Sequence, residues 1–403
     1  MAIRSCHPHP DVRALPTEAV PPQLLAVIDA AMTDERLIGA GVGMSLWIEG
    51  YGEVIARNPD LRLRPASLQK LLTAMTALEV IGPSTELATV VATTGLAAGG
   101  VLDGDIYLVG GGDPLLASGG EHSLQTLAAA VRQAGVVRVT GRVVVDETRY
   151  DGLRTVRAWG GMPVPTWVGS LSPLLVDRNA YRADWPFIAN PGIANGGLFV
   201  TALDNAGVIV AGDVANGATP DGAASITSLR SAPVAALVAE MLTESDNTIA
   251  EILVKEIGYR TSGVGSTAAG VRAMATTAEA LCLSRSILQQ DGSGLSHGNA
   301  RSARDWRRLL QAAQGRPWWD ELVAGLAIAG ETGTLEHRFL DTAAAGNLRA
   351  KTGSIDGLRS LCGVMATAGG RRVFFAAIVD ADEPAPPMAA IDDLLVAIAE
   401  DES

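Results

Sequence analysis

A serine and a lysine three residues apart, Ser67-Leu-Gln-Lys70, stand at the head of the apolar run LLTAMTALEVIG. On a helix, residues i and i+3 share a face with side chains about 5–6 Å apart. Free backbone N–H groups and the positive helix end favour negative charge in the first turn. A serine there can act as a nucleophile if a neutral amine lies beside it to take its proton. Lysine meets that need only when burial or nearby positive charge lowers its proton affinity. The same four residues also suit a helix cap followed by a solvated lysine. Two further stretches bear on the choice. Ser245-Asp-Asn247 lies between two helical stretches. It can present a hydroxyl and an amide to a cleft, or simply cap a helix. Lys351-Thr-Gly353 opens a strand. There Lys351 can hold a carboxylate, Thr352 can add a hydrogen bond, and Gly353 lets a substrate backbone come close.

Lysine is scarce in this chain. Lys70, Lys255 and Lys351 are the only ones, and every other cation is Arg. Arginine cannot release its proton, whereas lysine can be tuned to do so. Two of the three lysines therefore fall where a titratable amine would be useful.

With 403 residues the chain is long enough for two or three domains. Its 48% hydrophobic and 19% charged content fits a globular protein. A net charge of −13 argues against nucleic acid and anionic membranes as partners. No apolar run is long enough for a transmembrane helix. The polar, Pro-rich start has no signal-peptide core. Cys6, Cys282 and Cys362 are far apart and form no CxxC pair, so at most one disulfide is expected. The five histidines show no ligand spacing, so neither a metal nor another cofactor is expected.

Elements must position these residues. Pro21 to Met32 reads as a helix, then Gly41–Trp47 and Glu53–Ala56 as a hairpin. Leu68, Leu71, Leu72, Met75 and Leu78 recur at helical spacing until Gly82-Pro83. From 85 to 231, short strands such as DIYLVGGGDP, GRVVVDETRY and LFVTALDNAGVIVAGDV alternate with Gly-rich turns, with one helix at Ser123–Ala134. Helices follow at Pro233–Glu244, Thr248–Ile257, Ser266–Leu281 and Ser302–Ala313. Three strands from Asn347 to Ala381 and a helix at Pro387–Ala399 end the chain. The expected architecture is α/β (α+β), with a central antiparallel sheet assembled from both ends of the chain and flanked by helices. Residues 1–84 and 232–403 would form this discontinuous domain, and 85–231 an inserted, mostly β domain.

S-x-x-K, S-x-N and K-T-G in that order, on a helix, an inter-helix loop and a strand, resemble the penicillin-binding proteins and serine β-lactamases. No E-x-x-L-N stretch, as class A β-lactamases need, occurs between Ser67 and Ser245. The long insertion, LVGGGDPLL, GSLSPLLVDRN, SDNTIAE, DGSGLS and KTGSIDGL look like the class C low-molecular-mass penicillin-binding proteins, the D-Ala-D-Ala carboxypeptidase/endopeptidase group of the peptidase S13 type. That resemblance runs from about Gly41 to Asp380. His297 stands where the group usually has Arg, and Ser354 where Thr is commoner.

The resemblance implies a serine DD-peptidase that cleaves D-Ala-D-Ala ends or D-centred cross-links of peptidoglycan stem peptides. Ser67 would be the nucleophile, acylated also by β-lactams, and Lys70 the general base. Ser245 would relay the proton to the leaving amine, and Asn247 would position Lys70 and the substrate amide. Lys351 and Thr352 would bind the terminal carboxylate, and the N–H groups of Ser67 and Ser354 would form an oxyanion hole. Asp146 would meet the amine of the substrate side chain, unless it is only a turn aspartate. A serine β-lactamase and a non-catalytic peptidoglycan-binding protein are the alternatives. Such an enzyme works outside the cytoplasmic membrane, in the periplasm or cell-wall space, with any export signal already removed. A competing motif, Gly294-Leu-Ser296-His-Gly298, matches the G-x-S-x-G nucleophile elbow, which requires a strand before it and a helix after it.

Overall fold

The computed structural model describes residues 16–160, 166–179, 187–283 and 288–403. The chain packs as two compact units. Met1–Glu79, Ala235–Asp246 and Val271–Ser403 form the first, and Val80–Val234 with Asn247–Gly270 the second.

The first unit is built on a six-stranded sheet. Its strands are β1 (Gly41–Ile48), β2 (Gly52–Arg57), β5 (Ala327–Ile328), β6 (Arg349–Ile355), β7 (Leu358–Ala366) and β8 (Arg372–Asp380), in the order β5-β6-β7-β8-β1-β2. The short pair β3 (Arg62–Leu63) and β4 (Arg301–Ser302) forms a separate ribbon. All neighbours in the six-stranded sheet are antiparallel, and β1 joins β8 with Gly41 opposite Asp380. The expected front hairpin and three rear strands thus meet in one sheet, and β5 is an added edge strand.

Alternation along β1 explains the layers. Val42, Met44, Leu46 and Ile48 join a core with α1 (Pro22–Met32) and the C-terminal helix Ala385–Ala399. On the opposite face, Ser45 accepts from the Arg307 guanidinium at 2.7 Å, and Trp47 meets Phe374 with ring centroids 6.0 Å apart. Arg307 lies on the amphipathic helix Ala303–Ala313, which packs on this face. Each fully buried Leu, Ile or Phe contributes roughly 1.5–3 kcal/mol, against at most about 1 kcal/mol for a surface ion pair. Two-sided burial therefore holds the sheet.

The helix α2 (Gln69–Val80) behaves differently. Sequence spacing marks one apolar face, yet every residue from Gln69 to Leu78 is buried. Ala74 and Ala77 leave room for close neighbours. Thr76 returns its hydroxyl to the Leu72 carbonyl at 2.7 Å, which satisfies that polar group within the helix.

The second unit holds a five-stranded sheet in the order 214–216, 143–146, 106–109, 88–93, 224–230, and a four-stranded one in the order 209–210, 138–139, 101–103, 96–98. The expected helix lies at Leu124–Gln133, capped by Ser123. One expectation is corrected: LFVTALDN is not a strand but the end of a helix, Pro191–Asn205. Its buried residues Asn195, Gly196, Phe199, Ala202 and Leu203 recur at helical spacing, and Asn190 caps its start. The Gly-Gly pair before Leu198 obscures that period.

The turn GGGDP in this unit needs its glycines for packing. A Cβ on Gly111 would lie 1.9 Å from the Ala88 carbonyl oxygen, and one on Gly112 2.1 Å from the Tyr150 hydroxyl. The helix Asn247–Ser262 is tied into the same unit by its buried Glu256, which accepts from Arg149 and Arg260 at 2.7 Å each and from Tyr150 at 3.0 Å. Lys255, on that helix, is buried in an ion pair with Asp151.

Candidate active site

Ser67 sits in a single 3₁₀ turn, Ala66–Leu68, that leads directly into α2. Ala66 has φ +48°, a left-handed conformation that costs a residue with a Cβ of the order of 1 kcal/mol or more. Three chain segments hold this turn. The Ser360 hydroxyl of β7 donates to the Pro65 carbonyl at 2.8 Å. A Cβ on Gly294 would lie 1.9 Å from the Ala66 carbonyl oxygen, and one on Gly353 would lie 2.1 Å from the Ser360 hydroxyl and 2.9 Å from the Pro65 oxygen. Glycine at both positions lets backbone press against backbone around the serine.

Lys70 is fully buried. Its Nζ donates to Ser67 Oγ at 2.9 Å and to the Ser293 carbonyl at 2.8 Å. Ser67 itself is half-buried. One turn along α2, Thr73 donates to the Gly292 carbonyl at 2.8 Å, so the helix grips the 292–294 loop twice. That loop is braced from within. The buried Asp291 carboxylate accepts from the N–H of Gly294 at 3.0 Å, the N–H of Ser296 at 2.6 Å and the Asn299 amide at 2.7 Å.

The same loop contains the G-x-S-x-G string. Ser296 is buried, donates to Gln290 at 2.7 Å and accepts from the Gly298 N–H at 3.2 Å. Turns flank it rather than a strand and a helix. It is a loop brace, not a nucleophile elbow.

Lys351, Thr352 and Gly353 lie on β6. The neighbouring β5 pairs with β6 only at Arg349 and Ala350. Among the described residues, no strand covers that edge from Lys351 onward. Lys351 is fully buried and donates to the Thr352 carbonyl at 2.9 Å. Burial pushes its pKa well below the ordinary lysine value; repulsion from Lys70 adds to this and Glu244 opposes it. A lysine serves as a base only in its neutral form. Thr352 Oγ1 donates to Thr334 Oγ1 at 2.8 Å, and Ser354 is exposed.

Ser245 follows the helix α3 (Val234–Thr243) and has φ +61°, a second left-handed non-glycine among the expected site residues and their neighbours. Its neighbour Glu244 acts on Lys351. Asn247 opens the helix Asn247–Ser262 in the second unit, where its side-chain amide donates to the Trp167 carbonyl at 3.2 Å.

Asp146 ends the strand Val143–Asp146 in the second unit and is buried. Its Oδ1 accepts from the Thr148 N–H at 2.9 Å and the Thr148 hydroxyl at 2.6 Å, and its Oδ2 from the Thr219 N–H at 2.7 Å. These donors hold its pKa below the usual carboxylate value, although burial alone would raise it. This is the geometry of the turn aspartate weighed beside the substrate role. His297 is exposed. Cys362 is a buried free thiol, whereas Cys6 lies outside the described residues.

The Ser293 carbonyl lies in the DGSGLS string, but Ser360 and Thr334 carry no local motif, and nothing near them in sequence points to Pro65 or Thr352.

The comparisons with known proteins follow the same residues. Residues 24–192 and 174–400 match the model of the D-Ala-D-Ala carboxypeptidase 3 (S13) family. The D-alanyl-D-alanine carboxypeptidase of Actinomadura sp. (strain R39) is 30% identical, over 93% of this chain and 84% of that protein. The carboxypeptidase DacB of Mycolicibacterium smegmatis is 31% identical, over 92% of this chain and 81% of that protein. Among solved structures, penicillin binding protein 4 (dacB) from Haemophilus influenzae superposes with a TM-score of 0.81 at 20% identity, covering 93% of this chain and 99% of that one, so the two share a fold. The match spans most of the chain and includes the turn that places Ser67 on Lys70: the chain belongs to the D-Ala-D-Ala carboxypeptidase 3 (S13) family of serine peptidases.

Proposed function

We propose that this chain is a serine DD-peptidase acting on peptidoglycan stem peptides, with Ser67 as its nucleophile. Ser67 Oγ attacks the carbonyl between the last two D-alanines, or that of a D-centred cross-link. Lys70, as the free amine, accepts the hydroxyl proton over the distance at which it now donates. The C–N bond breaks, the proton passes through Ser245 to the leaving amine, and water then hydrolyses the acyl-serine. N–H groups of Ser67 and Ser354 stabilise the oxyanion, a contribution that is commonly among the largest in acyl transfer. Lys351 and Thr352 receive the terminal carboxylate at the uncovered edge of β6. β-Lactams enter the same site and acylate Ser67. Asp146 has no substrate role in this reading, because its carboxylate is already engaged. The substrate places the protein in the periplasm or cell-wall space.

The observation that carries this reading is the 2.9 Å contact between Ser67 Oγ and a fully buried Lys70 amine. The test is release of D-alanine from a peptide ending in D-Ala-D-Ala. Turnover with slow or absent nitrocefin hydrolysis is expected. Rapid nitrocefin turnover without D-alanine release would make the chain a β-lactamase.

A further inference from the structure

Gly333–Leu335 forms one 3₁₀ turn between β5 and β6. Three contacts hold it. Gly333 has φ +52°, and a Cβ there would lie 2.3 Å from the Thr243 carbonyl oxygen, so the turn presses on the end of α3, two residues before Ser245. Leu335 is fully buried in the core with Ala329, Ala344 and Leu348. Between them Thr334 is exposed, with its hydroxyl 2.8 Å from that of Thr352.

The proton count is informative. Two hydroxyls share one hydrogen bond, so one of their two protons has no acceptor among the described residues. That proton sits on the turn held at Gly333 and Leu335, against Thr352 at the uncovered edge of β6. Lys351 is also a weakened cation, since burial and Lys70 both oppose its charge. A carboxylate arriving there gains from a neutral donor that needs no ionisation.

We propose that Thr334 is a further substrate-binding residue of this site, donating its hydroxyl to the C-terminal carboxylate of the peptide, with the Thr352 proton turning from Thr334 to the same carboxylate when the peptide binds. This inference rests on the DD-peptidase reading above. It assigns Thr334 a preference for a free acid over a blocked end, and a structural role for Thr334 would carry no such preference.

The test compares kcat/KM for a peptide ending in D-Ala-D-Ala acid with the same peptide ending in the amide. It uses wild type, Thr334→Val and Thr334→Ser in the full chain. A hydrogen bond to a charged group predicts that Thr334→Val lowers the acid/amide ratio about 10-fold or more, mainly through KM, and that Thr334→Ser keeps it. An unchanged ratio in Thr334→Val overturns the proposal, and so does a ratio that falls as far in Thr334→Ser. Acylation by a penicillin methyl ester, which lacks the carboxylate, should be unaffected in Thr334→Val. A matching loss there means a damaged site and likewise overturns the proposal. Failure of the wild type to release D-alanine from the acid peptide would instead refute the DD-peptidase reading.

Discussion

The Ser67 hydroxyl lies 2.9 Å from the Lys70 amine, and that amine has no exposure to solvent. A solvated lysine on a capped helix would show the opposite. The pairing follows from local geometry: a 3₁₀ turn feeds a helix whose every side is buried, so a residue three positions on has nowhere to go but inward.

Replacing Lys70 by Arg keeps the positive charge but removes the capacity to give up a proton. General-base assistance is worth about 10²–10⁴-fold, so the rate of acylation by a fluorescent penicillin should fall by at least about 100-fold. A Lys70→Arg variant that acylates at the wild-type rate would show that Lys70 is not the base.

Gly294→Ala would force a Cβ to within 1.9 Å of the Ala66 carbonyl oxygen, at a backbone φ of +91°. Gly370→Ala meets nothing within 4 Å at φ +84°, so it carries the conformational cost alone. Chemical denaturation should show a loss of about 1–2 kcal/mol for Gly370→Ala and a clearly larger one for Gly294→Ala. The penicillin reaction should slow only in the Gly294 variant.

Lys351 predicts a pH dependence. Its pKa is depressed in the folded chain below the ordinary lysine value of 10.5. Between the folded and unfolded values the unfolded chain binds the extra proton, so stability rises with pH through that window. The cost of burying Lys351 is largest below the folded value and fades above the unfolded one. Lys351→Met should therefore stabilise the protein against urea at pH 6, and the gain should shrink as pH approaches 10.5. A gain that is constant or grows with pH would contradict the burial argument.

Asp146 predicts a stability effect without a specificity effect. Asp146→Asn turns one acceptor into a donor that faces the N–H of Thr148 or Thr219. A loss of about 1–3 kcal/mol in denaturation is expected, with the ranking of peptides by side chain unchanged. A changed ranking at unchanged stability would restore Asp146 to the substrate.

The site was legible where chemistry sits at fixed linear spacing. Ser67 and Lys70 are three residues apart, and Lys351-Thr-Gly353 are contiguous. The scarcity of lysine sharpened this signal but misleads at Lys255, which is a buried structural partner of Asp151. The sheet was legible because Val42, Met44, Leu46 and Ile48 alternate. The helix Pro191–Asn205 was not, because its Gly-rich first half hides the period that burial later reveals. Ser360 and Thr334 could not be read at all. Their partners, Pro65 and Thr352, lie 295 and 18 residues away, and single hydroxyls on a strand or turn have no spacing to betray them.

The central claim is that Ser67 is the nucleophile, and mass spectrometry of the benzylpenicillin adduct tests it most directly. The account predicts one penicilloyl group per chain, on the peptide containing Ser67, and none in Ser67→Ala. An adduct on Ser296 or Ser245, or full labelling of Ser67→Ala, would contradict it.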